Sequence, residues 1–259
     1  PTVVRAGQSV ETSIYATDDN NVLDKGNAST IGFDTTDPND FNPAPLELTQ
    51  NGTCTQKTQY EEGDIYCGTS KTDLIFHTPG TWVVRVADTA GGIPGVYESA
   101  PITVLPGTPT TPYFKLSSLS LKAGMASSVT IGLKDVYGNS ASPDMDQRVA
   151  LSADSGVFSS SPDGPWSSSL EITVPHGASA INPDLNTTAS FYYLDFKPGQ
   201  DSIRASLGAN IVALPVSVDL GDIDQTNSQV TPSAQSLVVG KEAGVTVQLV
   251  DKNQNKIKD

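Results

Sequence analysis

The chain has 259 residues, 37% of them apolar, and carries 15 Lys and Arg against 29 Asp and Glu, a formal net charge of −14. So large an excess of carboxylate excludes nucleic acid as an expected partner, because phosphate binding draws on basic residues that displace counterions, and it argues equally against anionic lipid. The apolar fraction is too high for a disordered tail, and no stretch approaches the roughly 20 apolar residues of a membrane helix, so a folded segment without membrane insertion is expected.

The chain opens at Pro1 with no charged-then-apolar leader, which fits a mature secreted protein whose leader and any anchor lie outside this sequence. Helical periodicity is hard to find, whereas short alternating or β-branched runs separated by Gly, Pro, Asn and Asp recur throughout. The expected fold class is all-β. In chain order, Ala6-Gly7 precedes a strand at 10–16 and the turn Asp18-Asp19-Asn20-Asn21. A Pro-rich stretch from Gly26 to Gly68 follows, then a strand at 73–76, the turn Thr78-Pro79-Gly80, and a strand at 82–87. This last run is expected to return as the hairpin partner of 73–76, with Trp82 in the core. A strand at 102–105 closes the unit. The segment Pro106-Gly107-Thr108-Pro109-Thr110-Thr111-Pro112 reads as a linker. Its prolines favour extended, stiff backbone, as a rod-like array would need.

The same order then returns. Ala123-Gly124, a strand at 129–133 and Asp135 repeat the opening, as do Val239-Gly240, a strand at 245–249 and Asp251. Asp135 lies 117 residues after Asp18, and Asp251 lies 116 after Asp135. The second copy continues with strands at 149–152, 170–174, 189–194, 201–206 and 211–218. Its Lys197-Pro198-Gly199 matches Thr78-Pro79-Gly80, and Arg204 follows Arg85 by 119 residues. A fixed period of this size means tandem domains of β-sandwich length. The expected organisation is two complete domains, 1–106 and 113–220, and the first two strands of a third, at 237–239 and 245–250, within 229–259. The chain is thus expected to be a fragment of a longer array. Two lone strands expose unpaired backbone, so this last segment is expected to pair with the rest of its own domain or with a neighbour by strand addition.

The run Lys122-Ala123-Gly124 through Val129-Thr130-Ile131-Gly132-Leu133-Lys134-Asp135 to Tyr137-Gly138-Asn139 resembles the opening strands of bacterial immunoglobulin-like domains of the invasin and intimin type. The later run from Ala189 through Lys197-Pro198-Gly199 to Ile203-Arg204-Ala205-Ser206 is similar to that family's closing strands. Repeat two matches over most of its length and repeat one at both ends, while the stretch from Gly26 to Gly68 departs from the pattern. The resemblance implies tandem immunoglobulin-like β-sandwiches in a surface-exposed protein of adhesin, surface-layer or filament type, with no catalytic residues to carry over.

Cys54 and Cys67 are the two cysteines, both in that divergent stretch. Without CxxC spacing or a nearby His they do not read as a zinc site, and a local disulfide is expected. It would contribute about 3 kcal/mol in the chain-entropy model and place the protein outside the cytoplasm. Cys54 with Gln56 also admits a thioester reading, which the second cysteine disfavours. Calcium is the candidate cofactor: Asp18, Asp19, Asn20 and Asp24 form one acidic cluster, Asp34, Asp37, Asn39 and Asp40 another, and hard cations want several such oxygens. Neither follows EF-hand spacing, and Asp18, Asp135 and Asp251 share one repeat position where an Asx side chain can simply cap a turn.

Trp166, Tyr192 and Tyr193 are a candidate glycan platform, although one of two consecutive strand aromatics ordinarily faces the core. Asn27, Asn51 and Asn186 begin N-x-S/T sequons, a surface feature. His77 and His176 are the two imidazoles, and no nucleophile elbow, HExxH or phosphate loop accompanies them, so no catalytic residue is nominated. The expected role is a structural, non-enzymatic component of the extracellular cell surface, assembling with copies of itself in a surface layer or filament. The alternative is the shaft of an adhesin that binds host or glycan ligands.

Overall fold

The computed structural model describes residues 2–37, 46–48, 67–177, 181 and 187–257. Repeat one supplies β1 (Thr2–Arg5), β2 (Ser9–Tyr15), β3 (Thr30–Thr35), β4 (Leu46–Glu47), β5 (Thr69–Ile75), β6 (Gly80–Trp82), β7 (Val84–Asp88), β8 (Tyr97–Glu98) and β9 (Ile102–Leu105). Repeat two supplies β10 (Thr111–Phe114), β11 (Leu119–Lys122), β12 (Ser127–Lys134), β13 (Gln147–Ala153), β14 (Val157–Ser159), β15 (Ser169–Val174), β16 (Ala189–Leu194), β17 (Gly199–Leu207) and β18 (Asn210–Asp219). The third repeat contributes β19 (Gln229–Pro232), β20 (Val245–Val250) and β21 (Lys256–Ile257). The fold among the described residues is all-β, built of several sheets. The chain divides into two compact units, one of Pro1–Thr108, Asp135–Ser142 and Ala178–Pro183, the other of Pro109–Lys134, Pro143–Gly177 and Asp184–Asp259.

In the second unit a four-stranded sheet, β10-β12-β16-β14, faces a five-stranded one, β11-β18-β17-β13-β15. Period-two alternation sends Val129, Ile131 and Leu133 of β12 inward, and Leu214, Val216 and Val218 of β18 inward. They meet Phe158, Phe191 and Tyr193 in one core. Each such fully buried side chain stabilises the fold by about 1.5–3 kcal/mol. The first unit packs two smaller cores: Val4, Leu74, Phe76, Val84, Ile102 and Val104 in one, and Ile14, Ala16, Ile31 and Leu48 in the other.

The recurring Ala-Gly pair marks a change of sheet. β1 runs parallel to β9, and β2 then pairs antiparallel with β5 in a different sheet. In repeat two, β11 runs parallel to β18 before β12 joins β16. The buried alanine anchors each corner, while Gly7 at φ +83° and Gly124 at φ +79° take the left-handed backbone that glycine adopts without strain.

Two sequence expectations are corrected. The runs flanking Thr78-Pro79-Gly80 are not a hairpin: β5 pairs with β2, whereas β6 pairs with β9 and β7 with β3 and β8. The turn is a crossover between sheets, and Lys197-Pro198-Gly199 likewise leads from β16 in one sheet to β17 in the other. Residues 237–239 do not form a strand. Their counterparts β1 and β11 are held by parallel pairing to the last strand of their own repeat, and no described residue supplies that partner to the third. Val238 and Val239 are accordingly exposed, and β19, β20 and β21 form a sheet whose Val230, Val245 and Val247 are also exposed.

Candidate functional site

At one end of repeat one, in the first unit, the turn after β2 and the loop after β7 enclose a cavity of about 600 Å³. Asp18, Asp19, Asp24 and Asp88 line it with Tyr15 and Tyr97. The loops fold as they do because Asp18, Asp24 and Asp88 each close their own turn. Asp18 Oδ1 accepts the amides of Asn20 and Val22, both at 2.9 Å. Asp24 Oδ1 accepts the Gly26 amide at 3.1 Å, and its Oδ2 accepts Asn27 Nδ2 at 3.4 Å. Asp88 Oδ1 accepts the Ala90 amide at 2.8 Å and Oδ2 that of Ile93 at 2.9 Å. The amide of Ala90, aided by those of Ile93 and Gly92, holds the Asp88 carboxyl below its ordinary range.

The structure thus brings Asp18, Asp19 and Asp24 to one cleft and adds Asp88, which sequence reading missed. The local signal was Asp88-Thr89-Ala90-Gly91-Gly92, an Asx-turn pattern. The second acidic group does not join them. Asp34 is exposed opposite Arg85 in the β3–β7 ladder, and Asp37 is buried, its Oδ2 accepting the Thr78 amide at 3.1 Å. Among the described residues no three His, Cys, Asp or Glu side chains gather closely enough to hold a metal. Asp40, Cys54, Asn51 and Asn186 lie outside the described residues. Cys67 is buried, and no free cysteine occurs among the described residues. Asn27 has its side-chain amide engaged, Oδ1 accepting the Ser29 amide at 3.0 Å.

The second unit buries a polar network that the sequence did not announce. Tyr193 is fully buried and donates its hydroxyl to Asp201 Oδ2, with Asp195 Oδ2 at 3.5 Å. Ser155 Oγ lies 2.6 Å from Asp195 Oδ2 and 3.2 Å from Asp201 Oδ2, bridging two buried carboxylates. Burial by itself would raise Asp201. The Tyr193 hydroxyl and the amides of Ser202, Asp154 and Gly156 outweigh it and hold the carboxyl below its ordinary range. Burial first, then the bond to Asp201, push Tyr193 far up, so the phenol stays protonated as a donor. Of the nominated glycan platform, Tyr193 therefore belongs to the core, while Tyr192 and Trp166 are half-buried.

No protein-family model matches the chain, and no curated protein matches it. Solved structures resemble it at low identity. The S-layer protein SbsC, domains 4 and 5, is 20% identical over 56% of this chain and 69% of that one, with a TM-score of 0.29. Invasin, a bacterial integrin-binding protein, is 16% identical over 96% of this chain and 48% of its own, with a TM-score of 0.40. FdeC, an Escherichia coli adhesin, is 15% identical over 98% of this chain and 72% of its own, with a TM-score of 0.44. These neighbours are, by description, an S-layer protein, an invasin and an adhesin.

Proposed function

We propose that the chain is a structural, non-enzymatic segment of the extracellular cell surface, built to be repeated and to associate with copies of itself in a surface layer or filament. The observation that carries this reading is the tandem use of one strand plan: β1 on β9 and β11 on β18, with the same Ala-Gly corner at a spacing of 117 residues. A chain that invests its length in copies of one module extends a scaffold. Its acidity supports solubility outside the cell, and a Cys54–Cys67 disulfide suits the same compartment. The third repeat can pair either with the rest of its own domain or with a neighbouring copy by strand addition, and its deletion distinguishes the two.

The test is to concentrate the purified chain with and without millimolar calcium and follow it by light scattering and electron microscopy. Ordered arrays or filaments are expected, lost on deletion of residues 229–259 while both preceding sandwiches remain folded. A monodisperse monomer at every concentration would overturn self-assembly and favour the adhesin shaft, to be followed by screening glycans and host proteins. Polymer unchanged by the deletion would remove the third repeat from the assembly route.

A further inference from the structure

The Asx turns of repeats two and three do more than close their own loops. In the second unit Asp251 is fully buried, and its Oδ1 accepts the amides of Asn253 at 2.8 Å and Asn255 at 2.9 Å. This much is turn capping. Its other oxygen, Oδ2, accepts the amide of Gly221, thirty residues back in the chain, at 3.0 Å, and Asn255 Nδ2 at 2.9 Å. The second hydrogen of that same Asn255 amide goes to the carbonyl of Phe196, in the crossover turn of repeat two, at 2.8 Å. Asn253 lies over Gly124, where a Cβ would stand 2.6 Å from its Nδ2. A Cβ on Gly221 would stand 3.0 Å from Asp251 Oδ2.

Every one of these contacts has a counterpart inside the first unit. Asp135 is buried, its Oδ1 accepting the amides of Tyr137 and Asn139, both at 2.9 Å. Its Oδ2 accepts the Gly107 amide and Asn139 Nδ2, both at 2.8 Å. Asn139 Nδ2 also donates to the His77 carbonyl at 2.8 Å. Tyr137 lies over Gly7, where a side chain would collide with its ring, and stacks on His77 with centroids 4.4 Å apart. A bare turn needs none of the distant partners. The glycines, the carbonyl and the reaching asparagine form a matched set, and it occurs twice.

We propose that the Asp-x-x-x-Asn loop is a docking clasp, a surface by which one repeat grips the end of the repeat before it. Its partner is a face of two glycines and one crossover-turn carbonyl on a module of the same kind. Asp251 and Asn255 are its positioning residues in repeat three, Asp135 and Asn139 in repeat two. In repeat one Val22 stands where Asn139 and Asn255 reach, so that loop lacks the reaching asparagine, and its Asp18 Oδ1 accepts the amides of Asn20 and Val22. Gly240, at φ +87°, holds the place of Gly7 and Gly124.

Amide hydrogen exchange on the full chain separates a clasp from a cap. In Asp251→Ala the Gly221 amide is expected to exchange about tenfold faster or more, the loss expected of a buried bond to a charged acceptor. In Asn255→Ala, which keeps the Asn253 cap, Gly221 is still expected to quicken severalfold with the Asn253 amide unchanged. Val216 in β18 should hold its protection in both variants, and Asp135→Ala should act on Gly107 as Asp251→Ala acts on Gly221. An unchanged Gly221 in both repeat-three variants would overturn the clasp and leave a turn cap. Equal quickening of Gly221 and Val216 would overturn it as well, because the loop would then support the repeat-two fold rather than its junction.

Discussion

Tyr193→Phe is the cleanest probe of the buried network, because the ring that packs 5.4 Å from Phe158 is retained and only the hydroxyl is lost. That hydroxyl is a donor to Asp201, a carboxylate 8% exposed. A hydrogen bond to a charged group contributes about 1.5–3 kcal/mol. The amides of Ser202, Asp154 and Gly156 and the Ser155 hydroxyl remain on Asp201, so the lower part of that range, about 2 kcal/mol, is expected. In a domain of about 110 residues that loss lowers the melting temperature by about 9 °C. The pH dependence follows from the sign of the shift. Asp201 is held below its ordinary range when folded, so its contribution is present above the unfolded carboxyl value of about 3.9 and is lost as pH falls through the folded one. Removing the phenol lets the folded value rise, so the gap between the variant and wild type should be full at neutral pH and close below about pH 4. Calorimetry of both proteins across pH 2–8 is the assay. A difference under 1 °C at pH 7, or one that persists undiminished at pH 2, would refute the assigned donor role.

Gly156 faces the same hydroxyl, and a Cβ there would collide with Tyr193, so Gly156→Ala should cost about 1–3 kcal/mol by overpacking; a melting point equal to wild type would show that the ring can yield. Cys54 and Cys67 are expected to be bonded, and intact mass should rise by two hydrogens on reduction; two titratable thiols in denaturant without reductant would end that reading. No three of the described acidic side chains gather closely enough to hold a metal, so melting curves in chelator and in millimolar calcium are expected to coincide. A calcium-dependent rise in melting temperature that Asp18→Asn with Asp24→Asn abolishes would overturn this and restore the cleft as a calcium site.

The strands that could be read in advance were those with the clearest alternation: residues 10–16, 129–133 and 211–218 fall on β2, β12 and β18, where every second side chain turns inward and most of these are apolar. Short or polar elements such as β3, β8, β10, β11 and β14 carry too few such positions to stand out. Pairing was harder than existence. A Pro-Gly turn between two strands looks the same whether they face each other or enter opposite sheets, since the deciding bonds run from β5 to β2 and from β6 to β9, tens of residues away. The acidic groups failed for a related reason: Asp34 and Asp37 are close to Asp24 in sequence and apart from its cleft, whereas Asp88 arrives there from the end of β7.

Comparison of the two repeats separates what the module requires from what it tolerates. At the 119-residue offset that matches Arg85 to Arg204, Tyr193, Asp195 and Asp201 correspond to Leu74, Phe76 and Trp82. One repeat closes this crossover with a hydroxyl and two carboxylates, the other with two buried apolar side chains and an indole that packs on the core and donates Nε1–H to the Thr78 carbonyl at 2.8 Å. Both solutions satisfy the rule that buried polar groups be paired, and exchanging a satisfied polar cluster for packed apolar side chains is often close to neutral in energy. The backbone bonds at the same corner do not vary. The Gly7 amide donates to the Phe76 carbonyl and the Gly124 amide to the Asp195 carbonyl, each at 2.8 Å, although the two acceptor residues share no side-chain chemistry. A module copied along a chain can repack its interior freely, because side chains inside one sandwich answer only to one another. Its corners must also meet the next copy, and there the glycines and carbonyls are held in common.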